Sequence, residues 1–179
     1  GQVIYNANPR RILEQTGRAP SSEVHALGNP DNKEILALEI RRPGPTLRAW
    51  DNVRFPVRDI DVEAAIAALN LRRTEAREFI MMPEEIADRP GTFCSVDSQT
   101  FRLEHLKPGK DFSVFVPQEP PHCLHAIRGR AQFLDSGGSR LGDLEQGESA
   151  LVPVAVGSYR VESLAPDTEV LKVSLPVNA

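Results

Sequence analysis

The sequence predicts a mainly β protein, built as a jelly-roll barrel with one or two short helices. From residue 92 onward, short apolar runs alternate with turn residues along most of the remaining chain. The 179 residues also include 15 prolines and 12 glycines, which interrupt the chain too often for long helices. Short strands at this spacing are typical of all-β barrels and jelly rolls.

Residues before 92 contain the helix signals. Asn8 is suited to cap a short helix that has Pro9 at its first position. A strand is predicted over 34–41, where apolar residues precede a proline-rich turn. Asp61 is suited to cap a second helix over 62–69, whose apolar residues recur at helical spacing.

The strand predictions continue to the end of the chain. They cover residues 78–82, 92–96, 99–106, 111–116, 122–128, 131–135, 139–144, 149–153, 157–162 and 169–175. Residues 83–91 are expected to form a loop or a short helical turn. Gly129 and Gly147 are predicted at tight turns, where a Cβ atom would be unfavourable.

Charge and hydropathy exclude several classes of protein. The net charge is −4 and there is no extended basic run, which argues against nucleic acid as the main partner. No apolar stretch approaches the roughly 20 residues of a membrane span, and no signal-peptide pattern is present. A cytoplasmic location is therefore expected.

Residues 46–61 combine three arginines and three aspartates with the single tryptophan of the chain. Arg48, Arg54 and Arg58 have planar donors that suit phosphate or carboxylate oxygens. Charge held against apolar residues such as Trp50 needs a partner, either a ligand or an internal one. The internal alternative is a structural cluster with the segment's own aspartates, Asp51, Asp59 and Asp61.

The run Asp51-Asn52-Val53-Arg54, followed by Pro56-Val57-Arg58-Asp59, resembles the arginine loop of type I phosphomannose isomerases, which are zinc enzymes built from cupin barrels. The resemblance implies that Arg54 is the catalytic arginine at the sugar phosphate. It also implies that Arg58, Asn52 and Asp51 contribute to substrate binding. The second part of the loop is shorter here, and Arg58 stands where many relatives have lysine.

The resemblance extends upstream to His25, in Val-His-Ala-Leu, which matches the family's zinc-histidine turn. It implies that His25 is a metal ligand; a loop histidine without metal is the alternative. The family's other ligands lie well before this turn, but none of the 24 residues that precede His25 is a histidine. Because the chain also begins Gly1-Gln2 without an initiator methionine, we expect it to be the C-terminal portion of a longer protein.

Downstream, the turns at 128–131 and 142–153 resemble those of cupins, which implies a cupin-like (RmlC-like) jelly-roll barrel. The resulting domain prediction has three parts. Residues 1–45 are the N-terminal segment, the end of a truncated catalytic barrel. Residues 46–91 are the arginine loop, helix and connection, and residues 92–179 are the C-terminal cupin barrel.

This barrel is not expected to hold a metal. Metal-binding cupins need two histidines one residue apart, whereas His122 and His125 are three apart and should face opposite sides of a strand. A metal-dependent dioxygenase is disfavoured for the same reason. His105, and one of His122 and His125, are expected to be hydrogen-bonded core histidines.

The resemblance therefore implies the C-terminal part of a mannose-6-phosphate isomerase-like protein, acting in the aldose–ketose isomerisation of mannose 6-phosphate and fructose 6-phosphate. This chain alone is expected to be inactive, and zinc, the family's cofactor, is not expected to be retained. The implied partner is a phosphosugar, and a homodimer is compatible with the sequence. The alternative is a non-catalytic cupin module that binds a sugar or phosphosugar, or serves as a structural or dimerisation domain.

Overall fold

The structure, a computed structural model, describes residues 3–4, 38–40, 63, 80–98 and 101–176. The chain divides into two compact units, one of Gly1–Ile4 with Phe79–Ala179 and one of Tyr5–Glu78. In the second unit, Glu63 is helical, as the pattern over 62–69 predicts. The strand predicted over 34–41 is absent at residues 38–40, since no described strand pairs with them.

The first unit consists of short strands. They are β1 (Val3–Ile4), β2 (Ile80–Met81), β3 (Glu84–Glu85), β4 (Thr92–Asp97), β5 (Arg102–Leu106), β6 (Val114–Val116), β7 (His122–Arg128), β8 (Arg130–Asp135), β9 (Arg140–Glu145), β10 (Ser149–Val152), β11 (Tyr159–Ser163) and β12 (Glu169–Ser174). A short 3-10 helix covers Val154–Val156. No helix among the described residues has the length and apolar character of a membrane span.

Two antiparallel sheets form the barrel. One has the strand order β10-β7-β12-β5-β4-β3, and the other has the order β6-β11-β8-β9. β1 and β2 form a separate pair. This arrangement confirms the predicted mainly β jelly-roll fold. β3 is an addition to the prediction, because Glu84 and Glu85 pair with Cys94 and Phe93 where a loop or helical turn was expected.

The hydrophobic core takes residues from both sheets, because each strand directs alternate side chains inward. Its members are Leu106, Val114, Val116, Leu124, Ala126, Ala131, Phe133, Leu144, Tyr159, Val161 and Val170. On β5 and β12, the inward positions next to Leu106 and Val170 are occupied by the charged residues Glu104 and Lys172. The charged side chains are therefore held inside the barrel by the same alternation that builds the core.

Gly129 and Gly147 are at tight turns, as the sequence predicts. Gly129 connects β7 to β8 with a φ of 66°, and Gly147 has a φ of 90°. A Cβ atom on Gly129 would lie 2.8 Å from the Oγ1 of Thr168. Both the backbone conformation and the available space at Gly129 therefore require glycine.

Candidate functional site

The site residues predicted from the sequence fall outside the described part of the chain. They are Arg54, Arg58, Asn52 and Asp51 of the arginine loop, together with His25. Their roles stay predictions. Among the described residues, two groups of polar side chains are in contact across β5 and β12. One group surrounds Glu104 and Lys172 inside the barrel, and the other is the pair of His105 and Glu169.

Glu104 and Lys172 face each other across neighbouring strands. Glu104 is on the inward side of β5 with Leu106, and Lys172 is on the inward side of β12 with Val170. The antiparallel register places Lys172 directly opposite Glu104. An ammonium and a carboxylate are thus fixed side by side in the barrel interior.

The carboxylate of Glu104 is held by three cations. Its Oε2 lies 2.6 Å from the Nζ of Lys172. Arg89 donates from both terminal nitrogens, over 3.0 Å to Oε1 and 3.3 Å to Oε2. The Nε of Arg102 lies 3.1 Å from Oε1. Burial raises the pKa of Glu104, but Lys172, Arg89 and Arg102 outweigh burial, so its pKa lies below the ordinary value and the group is ionised.

Glu119, in the loop between β6 and β7, adds a second carboxylate. It forms an ion pair with Lys172, and its Oε1 lies 3.9 Å from NH1 of Arg89. We call these five residues, Glu104, Glu119, Arg89, Arg102 and Lys172, the Glu104 cluster. Its charges are balanced largely within the cluster, with Asp97 3.6 Å from NH1 of Arg102 at the exposed end.

His122 and Tyr159 form a neutral pair beside this cluster. The Nδ1 of His122 lies 2.9 Å from the carbonyl oxygen of Pro120, which can only accept a hydrogen bond. Nδ1 therefore has the proton, and Nε2 accepts from the Tyr159 hydroxyl over 2.7 Å. Burial lowers the pKa of His122 and raises that of Tyr159, so both groups stay neutral.

His105 is a buried, hydrogen-bonded histidine, as predicted. Its Nδ1 donates to the Oε1 of Glu169 over 2.6 Å, and the Nζ of Lys107 lies 3.4 Å from the same oxygen. The hydrogen bond from His105, assisted by Lys107, lowers the pKa of Glu169 to about 2. This pair joins β5 to β12 on the face opposite Glu104 and Lys172.

The other two histidines of the described barrel, His122 and His125, lie apart, as their spacing predicts. His122 is buried in the core, whereas the Nδ1 of His125 is 2.7 Å from the Oγ of Ser149. No group of three histidine, cysteine, aspartate or glutamate side chains among the described residues could hold a metal ion. The two carboxylates that face the barrel interior in the Glu104 cluster are already bound to Lys172.

Sequence reasoning did not single out the Glu104 cluster. A signal exists in the strand pattern, because Glu104 and Lys172 occupy positions two residues from the core residues Leu106 and Val170. A charged residue on the apolar face of a predicted strand indicates an internal partner. The identity of that partner depends on which strands are neighbours, and the turn residue Arg89 has no comparable signal.

Comparison with known proteins gives a likeness of fold. No protein-family model matches the chain, and no curated protein matches it. The chain is similar to the solved structure of mannose 6-phosphate isomerase from Salmonella typhimurium bound to substrate (f6p) and zinc, with 16% identity and a TM-score of 0.54. The match covers 66% of this chain and 28% of that chain.

The apo form from the same organism and a zinc-bound holo form match with the same identity, coverage and TM-score. The chain therefore spans about 28% of the length of the isomerases that it matches. At 16% identity the likeness concerns the fold. It confirms the mainly β, cupin-like architecture predicted from the sequence.

Proposed function

We propose that the chain is the C-terminal part of a mannose-6-phosphate isomerase-like protein, which interconverts mannose 6-phosphate and fructose 6-phosphate. The observation that carries this proposal is the similarity in fold between the barrel and solved mannose 6-phosphate isomerases. The run Asp51-Asn52-Val53-Arg54 adds independent support, because it precedes the barrel in the sequence and resembles the same family.

The proposed chemistry moves a proton between adjacent carbons through an enediol, so it needs a base and a cation for developing charge or phosphate. Arg54 is the proposed cation, because a guanidinium binds phosphate oxygens through two parallel hydrogen bonds. Arg58 assists at the phosphate, and Asn52 and Asp51 orient the loop. We assign no base to the barrel.

The residues of the described barrel do not fit the family's zinc ion. They contain no group of three suitable ligands, and Lys172 binds the carboxylates of Glu104 and Glu119. We therefore place no step of the isomerisation in the barrel. His25 is the proposed zinc ligand of this chain, and we propose that the chain neither retains zinc nor turns over substrate by itself.

The proposed partner is a phosphosugar in the cytoplasm. The net charge of −4 argues against nucleic acid as a partner. The proposal includes no membrane partner, and it is compatible with a homodimer.

A second candidate is a non-catalytic module that binds a sugar or phosphosugar, or serves as a structural or dimerisation domain. It is favoured by the Glu104 cluster, in which three cations are directed to two carboxylates. A barrel whose inward charges are compensated internally suits a stable scaffold. The two candidates differ in the need for Arg54.

A coupled assay with mannose 6-phosphate and added zinc, paired with calorimetry on fructose 6-phosphate, tests the proposal. The variants are Arg54→Ala and, as a matched control, Arg160→Ala on the exposed side of β11. We expect no turnover, and fructose 6-phosphate binding that weakens at least tenfold in Arg54→Ala but not in Arg160→Ala.

Turnover by the chain would overturn its proposed incompleteness. Binding that survives Arg54→Ala unchanged would overturn the role of Arg54 and favour the phosphosugar-binding module. A complete lack of binding would favour a structural domain.

A further inference from the structure

An apolar cleft lies between β9 and β10, where the two sheets of the barrel separate. Its volume is ≈ 220 Å³. Its floor consists of the buried core side chains Leu124, Phe133, Leu144 and Tyr159. The exposed residue Leu151, with 69% of its surface accessible, stands at the rim.

The cleft exists because small residues occupy two inward positions. Gly142 pairs with Phe133, and Ala150 pairs with Leu124, so both face the core side of their strands. A Cβ atom built on Gly142 meets no atom within 4 Å. The described side chains therefore leave the space between β9 and β10 open.

Among the described residues that line the cleft, no charged side chain lacks an ion-pair partner. Among the described residues that line the cleft, Asp143 alone is charged, and its carboxylate accepts hydrogen bonds from Arg130 and Arg140. These bonds lower the pKa of Asp143. The hydroxyl of Tyr159 donates its hydrogen bond to Nε2 of His122.

A phosphate placed in this cleft would lose water without gaining a cation from its lining, which is costly. Charge complementarity therefore selects an uncharged, apolar occupant.

The size of the cleft favours a small ligand. Apolar cavities of about 150 Å³ lined by Leu, Ile and Phe bind benzene, and this cleft has ≈ 220 Å³. Addition of a strand from a protein partner to β9 is opposed by Arg140 and Glu145, whose side chains are 58% and 66% exposed at its two ends. Charged residues on edge strands prevent such pairing.

We propose that the cleft between β9 and β10 is a binding site for a small uncharged apolar molecule, about the size of one aromatic ring. This proposal does not depend on the phosphosugar binding proposed above. Binding would bury the ligand against Leu124, Phe133 and Leu144 without any rearrangement of charge.

The test is a titration of the full chain with toluene, followed through the methyl resonances in ¹³C–¹H NMR spectra. We expect saturable shifts at Leu124, Leu144 and Val152, and none at Leu103 on the opposite face of the sheet. Phenyl phosphate, which joins the same ring to a charged group, should bind at least tenfold more weakly. Mannose 6-phosphate should not shift the methyls of the cleft.

Variants that fill the cleft make the test specific. Gly142→Leu places a side chain in the open space and should weaken toluene binding at least tenfold. Gln146→Leu adds a leucine in an exposed turn and should leave binding unchanged. If Gly142→Leu does not fold, Ala150→Leu fills the same space from the opposite strand.

The proposal is overturned if toluene causes no saturable shift in the unmodified chain, or if both filling variants bind it normally. It is also overturned if phenyl phosphate or mannose 6-phosphate shifts the cleft methyls as strongly as toluene. Self-association that shifts these methyls without ligand, measured by sedimentation, would assign the cleft to a second copy. None of these results involves Arg54, so failure here is distinguishable from failure of the proposed isomerase function.

Discussion

The Nζ of Lys172 lies 2.6 Å from the Oε2 of Glu104, and both side chains have 0% of their surface exposed to solvent. Two charges removed from water are costly unless further hydrogen bonds satisfy their remaining donors and acceptors. Arg89 supplies such bonds to Glu104, and Glu119 accepts one from Lys172. The pair therefore depends on a turn and a loop as well as on β5 and β12.

Replacing Lys172 should destabilise the barrel. Lys172→Met keeps most of the side-chain volume but removes the cation nearest to Glu104, while Arg89 and Arg102 stay in contact with the carboxylate. We expect a loss of about 1–3 kcal/mol in the free energy of unfolding. Urea denaturation measures it. Arg140→Met, which breaks an exposed ion pair, is the control and should have little effect. Equal effects of the two substitutions would contradict the structural role of the buried pair.

The hydroxyl of Tyr159 is the donor to Nε2 of His122, and both groups are buried. Tyr159→Phe keeps the ring and its stacking on His122, whose centroid lies 5.8 Å away, but removes the donor. We expect a loss of about 1–3 kcal/mol, because a buried acceptor is left unpaired. Thermal unfolding at pH 8, where the imidazole is neutral, measures this loss. A melting temperature equal to that of the unmodified chain would show that Nε2 finds another partner.

His122 should make stability fall in mild acid. Burial first, and then Lys172, hold its pKa below the ordinary value, although Pro120, Glu119 and Glu104 act in the other direction. Below about pH 6.5 the unfolded chain therefore binds a proton that the folded chain does not. The stabilisation is complete above that pH and decreases as the pH falls. Unfolding free energies between pH 8 and pH 5 measure it, and His122→Gln should flatten this part of the profile.

Glu169 should contribute to the loss of stability at lower pH. Its hydrogen bond from His105 lowers its pKa to about 2 in the folded chain, against roughly 4.3 when unfolded. Its contribution is therefore complete above about pH 4.3 and is lost as the pH falls toward 2. We expect the free energy of unfolding of Glu169→Gln to fall less steeply between about pH 4.3 and about pH 2 than that of the unmodified chain. Glu145→Gln, at an exposed position, should show the same fall as the unmodified chain. Acid unfolding followed by circular dichroism measures this difference. Identical acid profiles for the unmodified chain and Glu169→Gln would refute the assignment.

Two glycines should respond to alanine in opposite directions. Gly129→Ala places a Cβ 2.8 Å from the Oγ1 of Thr168 at a φ of 66°, and should destabilise the chain by more than about 1 kcal/mol. Gly142→Ala meets no atom within 4 Å and has no positive φ, so it should stabilise the chain by about 0.4–1 kcal/mol. Thermal unfolding of both variants checks this, and destabilisation of similar size in both would contradict it.

Much of the barrel was predictable because strand signals are local. β7 covers His122–Arg128, as predicted, and its alternating pattern correctly separates His122 from His125. β3 was not predicted, because Glu84 and Glu85 have little intrinsic preference for strands. These two residues form a strand because they pair with β4. Local sequence does not report such a partner.

The sequence by itself determined the fold class, the turns at Gly129 and Gly147, and the separation of the histidines. Each depends on residues within a few positions of one another, through backbone conformation or the two-residue period of a strand. The tertiary structure alone decided which charges neutralise one another and where the interior stays open. Lys172 meets Glu104, which is distant along the chain, because β12 and β5 are neighbours in one sheet. The cleft lined by Gly142 and Ala150 stays open because β9 pairs with β8 in one sheet and β10 pairs with β7 in the other.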